Sequence, residues 1–180
     1  MAEFSPTLRR YLAAVSAAGL ATLVVLVGIA PDGLVANPTP ALALLALLVV
    51  LGEVFPIKLP GDDGEFTTST TFAFALLITG GCEKAMVALA AGSLITDLLR
   101  RRSLWRGAFN IAQYTLALAA AGTIVQLLTT LPNDSGGFAP RDLPAILLAA
   151  SAFFFVNNSL AGAASALAAD LPIRRTLVED

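Results

Sequence analysis

Histidine is missing from these 180 residues altogether, and cysteine occurs once, at Cys82. The first absence removes His-based zinc motifs and Ser–His–Asp catalysis, together with the commonest transition-metal ligand. A single cysteine closes no intrachain disulfide and builds no paired-thiolate site. Charge is scarce as well: 13% of the residues are Asp, Glu, Lys or Arg, about half of the ~25% usual in a soluble domain. No Gly-x-Gly-x-x-Gly loop or P-loop is present, since "GDDGE" (61–65) has no Lys–Ser pair behind it. A net charge of −2 and the lack of a Lys/Arg stripe leave no footprint for nucleic acid. Two carboxylates near one end of the helical runs, Glu53 and Asp97, are the only acid–base candidates, and no other residue supports that use. The expectation is a chain with no catalytic activity of its own, no cofactor and no resident metal.

What is abundant is apolar: 57% of the residues are hydrophobic and the mean hydropathy is +0.79. These values place the chain in a lipid bilayer. A membrane-crossing helix needs about 20 apolar residues, with a range of about 17–25. Candidate spans fall at about 11–30, 40–55, 67–79, 82–99, 104–129 and 143–170. The first resembles a signal peptide with Arg9 and Arg10 ahead of it, but its apolar stretch is too long for that, and further apolar runs follow. Pro40 and Pro56 bound the second, and Pro144 suits the first turn of the sixth.

The third segment, "TTSTTFAFALLITGG", is the shortest. It reads as a short span, a re-entrant helix or half of a hairpin, and reaches about 14 residues once "TTSTT" is included, because hydroxyls satisfy carbonyls in lipid. Charge favours a true span. With Arg9 and Arg10 inside, six alternating spans place Lys58, Arg100, Arg101, Arg102, Arg106, Arg174 and Arg175 on the same side. Only Lys84 and Arg141 fall outside, as the positive-inside rule requires. The predicted fold is therefore all-α: one polytopic membrane helix bundle over 1–180, with about six transmembrane helices and both termini cytoplasmic, in the plasma membrane. The loop "PIKLPGDDGEF" is expected to double back toward the membrane, and Gly162/Ala166 and Ala88/Gly92 form small-xxx-small pairs.

Polar residues inside these runs are the candidate site: Glu53, Ser69, Asn110, Gln113, Asn157 and Asn158. Asn110, Gln113 and Tyr114 share a helix face by spacing. The amides read either as interhelical hydrogen bonds, worth about 0.6–2 kcal/mol each, or as the lining of a ligand cavity. Glu53 follows Gly52 just before Pro56. An intramembrane carboxylate is a functional candidate by default, and near the interface it also has the option of reaching water, Lys58 or an arginine. Its expected place is beside the start of the third helix, with Ser69 or Thr67 donating to it. Asp97 is expected to pair with Arg100 and Arg101 at i+3 and i+4. Trp105 beside Arg106 reads as an interfacial anchor.

The stretches "LGEVFPIKLP", "EFTTSTTFAFALLITG", "LLRRRSLWRGAFNIAQYTLAL" and "FFFVNNSLAGAASAL" together resemble the multi-helix membrane domains at the N-terminus of bacterial, chiefly actinobacterial, signalling proteins. Such domains precede GGDEF diguanylate cyclase, EAL phosphodiesterase or HD-type phosphohydrolase domains. The resemblance covers nearly the whole chain and implies that Glu53, Pro56, Ser69, Phe72, Arg101, Asn110, Gln113 and Asn158 are the recurring positions. It implies a sensory or input domain for cytoplasmic signalling that responds to a small apolar or amphipathic ligand, with a C-terminal output domain or a homodimer partner as well as the lipid bilayer. The sequence "LPIRRTLVED" carries no output domain, so the expectation is that the full gene product continues beyond Asp180. The competing expectation is a small-molecule-binding transporter component similar to the six-helix vitamin-binding subunits of energy-coupled importers. A structural membrane-assembly protein is the third.

Overall fold

In the computed structural model, the structure describes residues 5–29, 34, 39–58, 65–132 and 139–169. Among them are six α-helices: α1 (Pro6–Ile29), α2 (Pro40–Val54), α3 (Ser69–Gly80), α4 (Cys82–Leu99), α5 (Leu104–Leu128) and α6 (Leu143–Ala168). The arrangement is an all-α bundle. A two-residue antiparallel ladder, β1 (Ile57–Lys58) with β2 (Glu65–Phe66), joins α2 to α3. The antiparallel pairing sets Ile57 opposite Phe66 and Lys58 opposite Glu65. The central residues of this connection, and the termini, lie outside the described residues.

Local chemistry sets the helix starts. Ser5 Oγ accepts the Leu8 N–H at 3.2 Å, and Pro6 opens α1. Thr39 accepts the Leu42 N–H with Pro40 in the first turn of α2. Both pairings use a side-chain acceptor for an orphan donor and a proline where no donor is needed. The helix α2 stops at Val54 because the residue before Pro56 is pushed out of the helical region. A single residue, Gly81, separates α3 from α4, and its φ of 99° is a conformation that side chains rarely tolerate.

Helix α5 is the hub. It packs on α1 and α6 on one side and on α4 and α3 on the other, while α2 packs on α3 and α4. Two triplets result: α1, α5 and α6, with 24, 25 and 26 residues, and α2, α3 and α4, with 15, 12 and 18. The helices of the first triplet are long and apolar enough to cross a membrane, whereas α2 and α3 are shorter apolar helices. At 1.5 Å per residue α3 rises only about 18 Å, against ~30 Å of hydrocarbon. The segment after α5 covers the deficit: Leu131 is buried in the main core and Pro132 lies over Gly81.

The exterior is inverted relative to a water-soluble bundle. Val24, Leu44, Leu98, Leu147, Phe154 and Phe155 are all at least half exposed, while Ser69, Ser93, Thr96, Gln113 and Thr115 are buried. Lipid does not reward burial of leucine and penalises exposure of hydroxyl or amide. The distribution fits a membrane-embedded bundle.

Candidate functional site

The buried carboxylate Glu53 organises the polar interior. It sits on the last turn of α2, and Ser69, the first residue of α3, donates its hydroxyl to Glu53 Oε1 at 2.5 Å. Thr67 Oγ1 lies 3.3 Å from the same serine hydroxyl. The contact depends on two glycines. A Cβ on Gly52 would fall 2.7 Å from the Ser69 nitrogen, and one on Gly92 of α4 would fall 3.2 Å from Glu53 Cγ. Gly52 and Gly92 therefore let α3 and α4 close on the carboxylate from two sides. Gly92 is also one of the small-xxx-small residues, and it packs on Val50 of α2.

Across this cluster, Tyr114 of α5 brings its hydroxyl beside Thr67 and into the field of Glu53. Asp97 of α4 joins from the same end and interacts electrostatically with Glu53. Asp97 Oδ1 stands 3.8 Å from Arg102, whereas its Oδ2 is buried with no hydrogen-bond partner among the described residues, as is Thr96 Oγ1. The backbone of Gly107 in α5 faces Asp97 Oδ2, where a Cβ would come within 2.6 Å. The cluster thus draws on α2, α3, α4 and α5.

Asp97 is expected to pair with Arg100 and Arg101 on its own helix; the structure sets Arg102 against it as well, and Arg100 acts on it electrostatically. Helix α4 ends at Leu99, so i+3 and i+4 are no longer helical positions. The Arg102 N–H donates to the Asp97 carbonyl at 2.9 Å and the Arg101 N–H to the Leu98 carbonyl at 3.3 Å. This is a Schellman ending, with Arg101 at φ 50° in the place glycine usually takes. It turns Arg101 outward to an exposed position and swings Arg102 back over Asp97.

The amides form no single site with Glu53. Gln113 Nε2 donates to Asn157 Oδ1 at 2.9 Å and to the Asn157 carbonyl at 3.3 Å, joining α5 to α6. Asn110 lines a cavity at the helix ends. Asn158 lies exposed on α6 rather than in the polar interior, and it makes no side-chain hydrogen bond among the described residues. Asn110, Gln113 and Tyr114 share a face by spacing, yet each meets a different neighbour because α5 is surrounded. Two contacts escaped the sequence reading. The Tyr11 hydroxyl donates to the Leu160 carbonyl at 2.9 Å, tying α1 to α6, and Lys84 Nζ caps the end of α3 at the Gly80 carbonyl, 3.0 Å away. Lys84 was legible in principle, since a lysine four residues past a helix end has that reach. Tyr11 carried no such signal.

Among the described residues no group of three or more His, Cys, Asp or Glu side chains is placed to hold a metal ion. What the cluster offers is hydrogen-bonding and charge at a seam between helices. No protein-family profile, curated protein or solved structure matches this chain.

Proposed function

We propose that this chain is a membrane-embedded sensory or input domain for cytoplasmic signalling, possessing no catalytic activity of its own and passing conformational change to α6. Its resemblance to the N-terminal domains of cyclic-dinucleotide signalling proteins supplies the signalling class. The observation that carries the mechanical part is the placement of α5. Tyr114 and Gly107 put this helix against the Glu53–Asp97 cluster, and one residue from Tyr114 the Gln113 amide grips Asn157 of α6. A change in the hydrogen bonding of Glu53 therefore has a short route to α6. Packed interfaces respond to such changes by discrete shifts of about 1–2 Å rather than by smooth deformation.

The basic residues at the ends of α1 and α4 orient those ends toward the cytoplasm under the positive-inside rule. The ligand class is small and apolar or amphipathic, in keeping with the surrounding side chains. The test is a distance between spin labels at Ser103 and Ala169, in a Cys82→Ala background in lipid nanodiscs. Glu53→Gln and Gln113→Leu should each move the distribution by about 1–2 Å or broaden it to two populations. Identical distributions in parent and both variants would mean that α6 is indifferent to the cluster, and the input reading fails.

A further inference from the structure

A cavity of about 380 Å³ opens where the starts of α1 and α5 meet the end of α6. Its size lies within the ~300–1,000 Å³ usual for ligand sites. One wall is apolar, from Leu8, Leu12 and Phe109; the other carries Arg102, Arg106 and Asn110. Trp105 also lines it, with the Arg106 guanidinium carbon 5.2 Å from its ring centroid. Stacking on tryptophan pre-orients that guanidinium without using its N–H donors on a carboxylate. The N-cap residue Ser103 makes no side-chain cap, so the positive end of the α5 dipole adds to the same field.

We propose that this cavity is a binding site for the headgroup of an anionic phospholipid. The phosphate is held between Arg102 and Arg106, with Asn110 as a further donor, and the start of the acyl chains lies along Leu8, Leu12 and Phe109. Arginine takes phosphate oxygens in a two-pronged geometry that a zwitterionic lipid, with its own choline competing, uses less well. Basic pockets between membrane helices select anionic headgroups for this reason. The site also reaches the buried cluster, because Arg102 lines the cavity and stands 3.8 Å from Asp97 Oδ1. A phosphate on Arg102 competes with that loose ion pair, so lipid occupancy acts on the Glu53–Asp97 seam. The binding claim does not depend on the signalling reading, and its test reads occupancy alone.

Trp105 is the protein's only tryptophan, so the cavity carries its own reporter. The full chain is reconstituted in phosphatidylcholine nanodiscs into which brominated-chain phosphatidylglycerol or brominated-chain phosphatidylcholine is titrated, and Trp105 quenching is followed. Quenching by the phosphatidylglycerol should saturate at a low mole fraction, with the phosphatidylcholine quenching only in proportion to its abundance. Arg106→Gln, an exposed position where folding is not at stake, should raise the half-saturating fraction about tenfold, the loss of one charged hydrogen-bonding partner. Arg101→Gln, at the same end but outside the cavity, should leave it within about twofold, because it changes only the diffuse surface field. Ala164→Phe, which fills the cavity without altering charge, should abolish the saturable phase. Equal quenching by the two lipids overturns the proposal, as does an Arg101→Gln effect equal to that of Arg106→Gln. Displacement of the phosphatidylglycerol by an equal concentration of inorganic phosphate overturns it too, since the apolar wall would then contribute nothing.

Discussion

The two helix triplets solve the same solvation problem differently. Helices α1, α5 and α6 are long, so nearly all their backbone groups are satisfied within each helix, and few directional contacts hold them together. Among the described residues, Tyr11 to the Leu160 carbonyl and Gln113 to Asn157 are side-chain hydrogen bonds between them. Only three of the 26 residues of α6 are fully buried, so that helix packs on its neighbours along one side and leaves the other open. The last turn of α2 and both ends of α3 are buried in the bundle, where the N–H or C=O groups of a helix end look for partners. Five of the twelve residues of α3 are buried; the hydroxyl of its first residue, Ser69, is tied to Glu53, and the carbonyl of its last, Gly80, accepts from Lys84. Polar chemistry collects in the short triplet because that is where helix ends fall in an apolar setting.

The sharpest way to break this contrast is steric. Gly52→Val drives a Cβ into the Ser69 backbone and should cost about 3 kcal/mol or more, because backbone cannot move aside as a side chain does. Gly28→Val in α1 meets no atom within 4 Å and should leave the unfolding temperature in micelles unchanged. Equal losses at the two positions would mean that the triplets are equally constrained.

A smaller effect separates charge from shape at the cluster. Glu53→Ala removes the acceptor for the buried Ser69 hydroxyl and opens a gap against Gly92, costing about 2–3 kcal/mol. Glu53→Gln keeps an acceptor of similar shape and should cost about 1 kcal/mol less than the alanine variant. Thermal unfolding in the same detergent compares them directly. If both variants unfold with the parent, Glu53 is an ordinary interfacial carboxylate and the short triplet is not held through it.

The smallest expected change has the opposite sign. Arg101 occupies a left-handed conformation at φ 50°, so Arg101→Gly should stabilise the α4–α5 turn by about 0.5–1 kcal/mol. A neutral or destabilising result would show that the arginine side chain contributes a contact that outweighs its backbone strain.

The sequence by itself determined the all-α class, the apolar runs and most of their limits, because composition and proline placement act locally and within a few residues. The pairing of Glu53 with the start of α3 was also readable, since Gly52, Pro56 and "TTSTT" leave that carboxylate few other places. The tertiary structure alone decided the rest. Arg102 reaches Asp97 because the chain reverses in a left-handed turn, which no pattern of charges encodes. Asn110, Gln113 and Tyr114 part company because α5 is enclosed by several helices, so residues within one face reach different partners. The cavity at Trp105 and Arg106 is formed between the ends of three helices that are far apart in sequence. Periodicity records which way a residue faces on its own helix, while the space between helices depends on how far apart their axes come to rest.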